Sequence, residues 1–307
     1  MSIYIGADTK IVVQGITGFQ GSFHTRLMAE HGSNIVAGTS PGKGGSMVDG
    51  IPVFDTVAQA KEEKGANASI VFVPPAFAAD AICEAADADL DICVCITENI
   101  PVLDMVRVKA YLSKKKMRLI GPNCPGIITA GACKMGIMPN DIHLKGHIGV
   151  VSRSGSLTYE TIKQLTHAGI GQSTSVGIGG DPVNGTSFLD AIQAFAKDAD
   201  TYGIVMIGEI GGSGEQTAAR WIKTNTNKPV VAFIGGRTSP PGKRMGHAGA
   251  VISGKSGSAQ EKIDVLTECG IRIAPMSDLI ADTLIEVLKE RGIYEKCLTA
   301  EDILCEG

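Results

Sequence analysis

Short apolar runs alternate with amphipathic stretches along this chain, and glycines mark most of the junctions. "KIVVQG" (10–15) is a β-branched run that breaks at "GITGFQG", after which a helix is predicted near Ser22–His31. "NIVAGTS" (34–40) and "ASIVFVPP" (68–75) read as further strands, and "FAADAICEAADA" (77–88) as an amphipathic helix. "DICVCITE" (91–98) reads as a strand, "VLDMVRVKAYLSKK" (102–115) as a helix and "RLIGPN" (118–123) as a fifth strand. Strands this short and uniformly apolar fit a parallel sheet covered on both faces. The stretch at 124–146 follows neither period and carries Pro and Gly, so it is expected to be a crossing between domains. The alternation then resumes in "HIGVVSRSGSLTYETIKQLTHAG", in "GIVMIGEIGGSGEQTAARWIK" (203–223) and in "KPVVAFIGGRT" (228–238), with helices predicted over 259–269 and 277–291. The last residues, "YEKCLTAEDILCEG", suggest no role.

Composition narrows the class. The chain has 307 residues, 44% hydrophobic and 20% charged, which allows two globular domains with separate cores. The 39 glycines against 5% aromatics fit many strand-to-helix turns better than a base-stacking surface. Acids and bases are interspersed with a net charge of −4, which argues against nucleic acid as the main partner. The basic run "SKKKMR" (113–118) reads as a solvated helix end. Eight cysteines show no CxxC and no His/Cys grouping at metal spacing, so no metal site is expected and a reducing compartment is. Cys93 and Cys95 alternate on one face of a buried strand. No apolar run approaches the roughly 18 residues of a membrane helix, and the N-terminus enters a strand directly. Bacterial cytosol is therefore the expected compartment, or an organelle matrix after removal of a presequence.

Three glycine turns invite anions, because a helix N-terminus presents free N–H groups and the positive end of its dipole. The first carries Gly15, Gly18 and Gly21, a spacing that differs from the dinucleotide G-x-G-x-x-G. The second strand then ends "AGTSPGKGG", with Lys43 where a nicotinamide enzyme would place an acid to hold the ribose hydroxyls. That combination suits a nucleotide-like ligand with an additional phosphate. The second turn, "SRSGSLTYE", sets Ser154, Gly155 and Ser156 before a helix, where a serine can equally be a plain N-cap. The third, "GEIGGSGEQ", puts Glu209 at the end of a strand. His247 stands in "RMGHAGAVI" with almost no bulk beside it, so either something large approaches it or it moves. A neutral imidazole is a nucleophile, and it needs an orienting carboxylate and an anion-binding turn.

Taken in order, "GITGFQG", "PGKGG", "ITENIP", "GPNCPGIIT", "VSRSGSLTYE", "GIGGDP", "IGEIGG" and "RMGHAGAVI" span nearly the whole chain and resemble the α subunits of succinyl-CoA synthetases, the NDP-forming succinate–CoA ligases. The resemblance implies an α/β protein of two domains with parallel sheets. A Rossmann-like CoA-binding domain would cover residues 1–125, a crossing 126–146, and a flavodoxin-like domain 147–307. It also implies a β subunit with an ATP-grasp fold that holds Mg²⁺ with ATP or GTP. The reaction interconverts succinate, CoA and nucleoside triphosphate with succinyl-CoA, diphosphate and phosphate. By motif, His247 would carry the phosphoryl group and Glu209 would orient it. Thr17, Gly18, Phe19, Gln20 and Lys43 would hold CoA, with Ile96, Thr97 and Glu98 as another wall and Asn123 and Cys124 near the thiol end. Tyr159 would meet substrate, and Ser154 and Gly155 phosphate, with no strong lysine or arginine clamp on it. Phe19 is bulkier than the small or polar residue expected there, and Asn99 replaces an expected glycine. Malate–CoA ligase and the related part of ATP-citrate lyase share the histidine chemistry. A CoA- or NAD-sensing module would need no histidine loop and no second domain.

Overall fold

The computed structural model describes residues 2–240, 242–252 and 257–299. It divides into two units, one made of 4–140 with 183–186 and the other of the first three residues, 141–182 and the chain from 187 onward.

In the N-terminal unit the chain runs β1 (Lys10–Gln14), α1 (Phe19–Glu30), β2 (Asn34–Thr39), β3 (Met47–Val48), β4 (Ile51–Phe54), α2 (Val57–Lys64), β5 (Ala68–Val71), α3 (Pro75–Asp87), β6 (Ile92–Cys95), α4 (Val102–Leu112), β7 (Arg118–Ile120), β8 (Gly126–Thr129) and β9 (Cys133–Gly136). The sheet order is β3-β4-β2-β1-β5-β6-β7, parallel except that β3 pairs antiparallel with β4 at the edge. From β1 the chain moves to one side of the sheet, and from β5 to the other. The crevice between the ends of β1 and β5 is thus a topological switch point, where open α/β sheets bind ligands. The core is aliphatic: α3 turns Ala78, Ala81, Ile82, Ala85 and Ala86 inward at helical spacing. Burying a side chain the size of Ile82 is worth about 1.5–3 kcal/mol. Helix α1 buries only Gly21, Thr25 and Met28, so its hydrophobic signal is faint. It nevertheless begins at Phe19, three residues before the predicted start, because Gly18 in extended conformation serves as its N-cap.

Within the predicted crossing over 126–146, residues 126–136 form an antiparallel hairpin, β8 paired with β9. The two backbones touch where side chains would not fit: a Cβ on Gly126 would lie 2.1 Å from the Met135 carbonyl, and one on Gly136 2.2 Å from that of Pro125. Lys134 in β9 is wholly buried, with Nζ donating to Asn140 Oδ1 at 2.7 Å, and Asn140 in turn donating to the Leu27 carbonyl. A buried lysine inside a four-residue strand removes the apolar alternation by which such a strand is recognised.

The second unit runs β10 (Lys145–Ser152), α5 (Gly155–His167), β11 (Gln172–Gly177), α6 (Phe188–Lys197), β12 (Gly203–Glu209), α7 (Gly214–Asn225), β13 (Val230–Gly235), α8 (Ala259–Glu268), β14 (Arg272–Ile273) and α9 (Ile280–Glu290). These strands lie in the order β14-β13-β12-β10-β11, with parallel pairing between neighbours. Here β10 leads to one side and β12 to the other, so this unit's switch point falls between the ends of β10 and β12. Among the described residues no helix is long and apolar enough to cross a membrane. Residues 300–307, for which the sequence suggests no role, lie outside the described residues.

Candidate active site

At the switch point of the second unit, Glu209 is the last residue of β12 and Arg153 follows the last residue of β10. His247 reaches this crevice on the loop after β13. Its Nδ1 lies 2.7 Å from Glu209 Oε2. A carboxylate only accepts, so Nδ1 carries the hydrogen and Nε2 is the ring nitrogen that Glu209 does not engage. The Glu209 hydrogen bond holds the His247 imidazole above its ordinary range, with burial opposing it.

The loop's small residues have a steric cause. The imidazole lies on Gly180, where a Cβ would come within 2.3 Å of the ring. Gly249 donates its N–H to the Gly180 carbonyl at 3.1 Å. Gly211, with φ at +88°, passes so near the histidine loop that a Cβ there would lie 2.1 Å from the Gly249 carbonyl. Gly246 also has positive φ, +77°, just before the histidine. Each of these contacts is backbone against backbone or ring, which glycine alone permits.

Several residues here escape a reading of the sequence alone. Arg153 Nε lies 3.4 Å from Glu209 Oε1, and its Nη2 donates to the Asp181 carbonyl at 2.8 Å. An arginine therefore stands inside the site that was expected to lack a clamp, although its visible partners are Glu209 and backbone carbonyls. Its place straight after a strand, in "VSRSG", is the signal that could have found it. Glu215 accepts from the Glu209 backbone N–H at 3.1 Å through Oε1. Its Oε2 pairs with Lys262 Nζ at 2.5 Å, both side chains being buried. Lys262 also donates to the Gly211 carbonyl at 2.6 Å. That pair ties the end of β12 and the following glycine turn to α7 and α8.

The N-terminal residues of α5 face the same end of the sheet. Ser154 caps the helix, its Oγ accepting from Leu157 N at 3.3 Å, so the plain capping role is present and Gly155 opens the first turn. Tyr159 lies further along α5, half-buried.

In the N-terminal unit the expected CoA residues gather on the loops that follow β1, β2, β6 and β7. Gly15 has φ at +84°, and Gly21 seats α1 on this turn, since a Cβ there would lie 2.2 Å from the Gly15 carbonyl oxygen. Lys43 Nζ donates to Thr17 Oγ1 at 3.1 Å, and Thr17 meets Ser40 Oγ at 2.8 Å. The Lys43 loop is shaped by Asp55, whose Oδ1 accepts from Gly42 N at 2.7 Å and Gly44 N at 3.0 Å. Gly18, Phe19 and Gln20 are exposed, Phe19 to 79%, and the Phe19 ring stacks on Phe23 at 6.2 Å. Asn123 N donates to the Thr97 carbonyl at 2.9 Å, which brings the β6 and β7 loops together. Asn99 and Asn123 both adopt positive φ. Ile96 is half-buried and Glu98 exposed, while Cys124 is buried with Sγ on the Cys95 carbonyl at 3.3 Å. The bare helix terminus, the slim glycine turn and Lys43 fit an extended polyphosphate ligand. Among the described residues no cluster of His, Cys, Asp and Glu could hold a metal ion.

Fold and site together define a two-domain CoA-dependent ligase chain: residues 7–99 match the CoA binding domain model and residues 151–276 the CoA-ligase model. The ADP-forming succinate–CoA ligase α subunit of Staphylococcus epidermidis is 62% identical over 299 residues, covering 97% of this chain and 99% of that relative. The Staphylococcus aureus counterpart matches to the same extent. The chain belongs to the succinate–CoA ligase α-subunit family. Among solved structures, ATP citrate lyase from Methanothrix soehngenii, in complex with citrate and coenzyme A, superposes with a TM-score of 0.85 at 25% identity. That match covers 95% of this chain but only 52% of the lyase chain. The dinucleotide-forming acetyl-coenzyme A synthetase 1 of Candidatus Korarchaeum cryptofilum shares the fold, with a TM-score of 0.72 at 20% identity over 91% of this chain and 60% of its own.

Proposed function

We propose that this chain works in the bacterial cytoplasm as the CoA-binding and phosphoryl-carrying subunit of a succinate–CoA ligase, with His247 as the carrier. The observation that supports it most is the 2.7 Å hydrogen bond from His247 Nδ1 to Glu209. With Nδ1 engaged, the Nε2 lone pair attacks the terminal phosphorus of a nucleoside triphosphate. An N–P bond forms as the P–O bond to the diphosphate breaks, and Glu209 offsets the imidazolium charge. The phosphoryl group then passes to a carboxylate oxygen of succinate, breaking the N–P bond. The CoA thiolate adds to the activated carbonyl, and phosphate leaves as the C–S bond forms. Ser154 and Gly155 at the start of α5 supply N–H groups and a helix dipole for the phosphoryl group. Tyr159, on the same helix, would contact the acid.

In the N-terminal unit, Thr17, Gly18, Phe19 and Gln20 receive CoA, with Lys43 on a phosphate. Ile96, Thr97 and Glu98 flank the pantetheine, and Asn123 and Cys124 lie toward the thiol. The triphosphate with Mg²⁺ belongs to a β subunit of ATP-grasp fold, with ADP formation favoured over GDP formation by the names of the staphylococcal relatives. The test is incubation of the full chain and its β subunit with ATP labelled at the γ-phosphate. His247→Asn should give no acid-labile, alkali-stable label while its circular dichroism is unchanged; label persisting in that variant rules His247 out. Turnover compared for succinate, malate and citrate assigns the acid.

A further inference from the structure

Glu209 answers to two cations. One oxygen takes the His247 hydrogen bond, while the other, Oε1, is buried without a hydrogen-bond donor and has Arg153 Nε 3.4 Å away. Arg153 does more than neutralise. Its Nε donates to the Gly179 carbonyl at 3.3 Å and its Nη2 to the Asp181 carbonyl at 2.8 Å, so it grips both ends of the turn whose middle residue, Gly180, lies under the imidazole. Nη2 also lies against Gly249 of the histidine loop, where a Cβ would come within 2.6 Å of it. One guanidinium thus meets the carboxylate that orients the histidine, the surface on which the ring rests and the loop that carries it.

We propose that Arg153 is a positioning residue for His247: it shares the Glu209 carboxylate with the histidine, so that the imidazole stays docked yet remains available as a neutral nucleophile. This rests on the reading of His247 as the phosphoryl carrier. A carboxylate serving the ring alone would favour the imidazolium, which has no lone pair to attack phosphorus. A carboxylate absent altogether would leave the tautomer unset. The charged groups facing the ring come from the strand ends around it: Glu209 at the end of β12, Arg153 after β10 and Asp181 after β11. The Glu215–Lys262 pair stands behind Glu209, and Lys243 and Arg244 on the histidine's own loop are exposed. Glu209 and Asp181 act to raise the proton affinity of the ring; burial and Arg153 act against them.

The experiment uses the full chain with its β subunit. The His247 ring titration is followed by NMR with ring-labelled histidine, and the phosphorylation rate with ATP is followed from pH 5.5 to 9. In Arg153→Met the His247 titration midpoint should rise by about one pH unit, the scale of losing one nearby charge. Phosphorylation should fall by roughly tenfold at pH 6 and by less than about twofold at pH 9. Arg153→Lys, which keeps the charge, should restore the midpoint. If Arg153→Met does not fold, Arg153→Gln reports the same quantity. A midpoint that stays or falls, with equal rate losses at every pH, overturns the proposal and makes Arg153 a structural brace. The titration needs no turnover, so it remains readable even if the unaltered chain takes no label on His247, a result that would instead sink the proposed carrier.

Discussion

At the scale of single residues, the hydrogen bond between Glu209 and His247 joins function to stability. His247 binds its proton more tightly in the folded chain than when unfolded, so the pair stabilises the fold fully below the unfolded histidine range near pH 6.5. That contribution is lost as pH rises through the elevated folded value. Glu209→Gln removes the charge that causes the shift, while an amide can still accept from Nδ1. The expected result is a larger fall in Tm, relative to the parent chain, at pH 5.5 than at pH 9, together with slower phosphorylation. A charge-assisted hydrogen bond reduced to a neutral one is worth about 1–2 kcal/mol. Thermal melts at the two pH values check the sign, and a deficit that is equal or larger at pH 9 refutes it. The pairing itself was legible in the sequence, since a lone histidine in a slim loop needs a carboxylate and Glu209 ends a strand in the same half. The partners of Arg153, Gly180 and Glu215 were not, because Gly179 lies 26 residues from Arg153, Lys262 47 from Glu215 and His247 67 from Gly180, and no local pattern links them.

At the scale of elements, legibility follows hydrophobic contrast. Strands β1, β2, β5, β6, β12 and β13 are largely buried apolar runs, and they fall where the alternation puts them. Strand β11 is buried along its whole length but reads "QSTSVG". Two of its polar side chains find internal partners, Ser173 Oγ meeting Thr201 Oγ1 at 2.7 Å and Gln172 Nε2 donating to the Ile170 carbonyl at 3.0 Å, while Ser175 Oγ is buried without a hydrogen-bond partner, so burial leaves no apolar trace. Helix α6 was within reach: Ser187 and Asp190 form a capping box ahead of buried Phe188, Ala191, Ile192 and Phe195. The small elements over 47–64 include a two-residue strand, too short for any period to emerge. Where α1 meets the turn after β1, the geometry supports a sharper expectation. In Gly21→Ala the new methyl collides with the Gly15 carbonyl, and backbone cannot yield as a flexible side chain would. Overpacking of this kind costs about 1–3 kcal/mol. CoA affinity by titration calorimetry should drop with it, whereas phosphorylation of His247 in the presence of the β subunit should persist. Unchanged CoA affinity would mean that the turn does not shape the ligand site.

At the scale of the whole molecule, each unit carries a switch point at the ends of its strands. The sequence has no G-x-x-x-x-G-K-[ST], and the described residues have no metal cluster. The expected outcome is that the chain purified alone binds CoA but is not phosphorylated by ATP or GTP with Mg²⁺ at a useful rate. Adding the β subunit should restore both phosphorylation and succinate-dependent turnover. Rapid stoichiometric labelling of the isolated chain would reveal a nucleotide site that the sequence does not show. Residues 183–186 belong to the N-terminal unit, where Gly185 N donates to the Gly121 carbonyl at 2.8 Å, Thr186 Oγ1 to the Leu119 carbonyl at 2.6 Å, and Lys109 Nζ to the Asn184 carbonyl at 2.9 Å. The ribosome therefore finishes Asn140 before the last piece of that unit exists. At about 5–20 residues per second, those carbonyls of the β7 segment wait several seconds for their partners. A gene fragment cut at 140 would leave them waiting permanently.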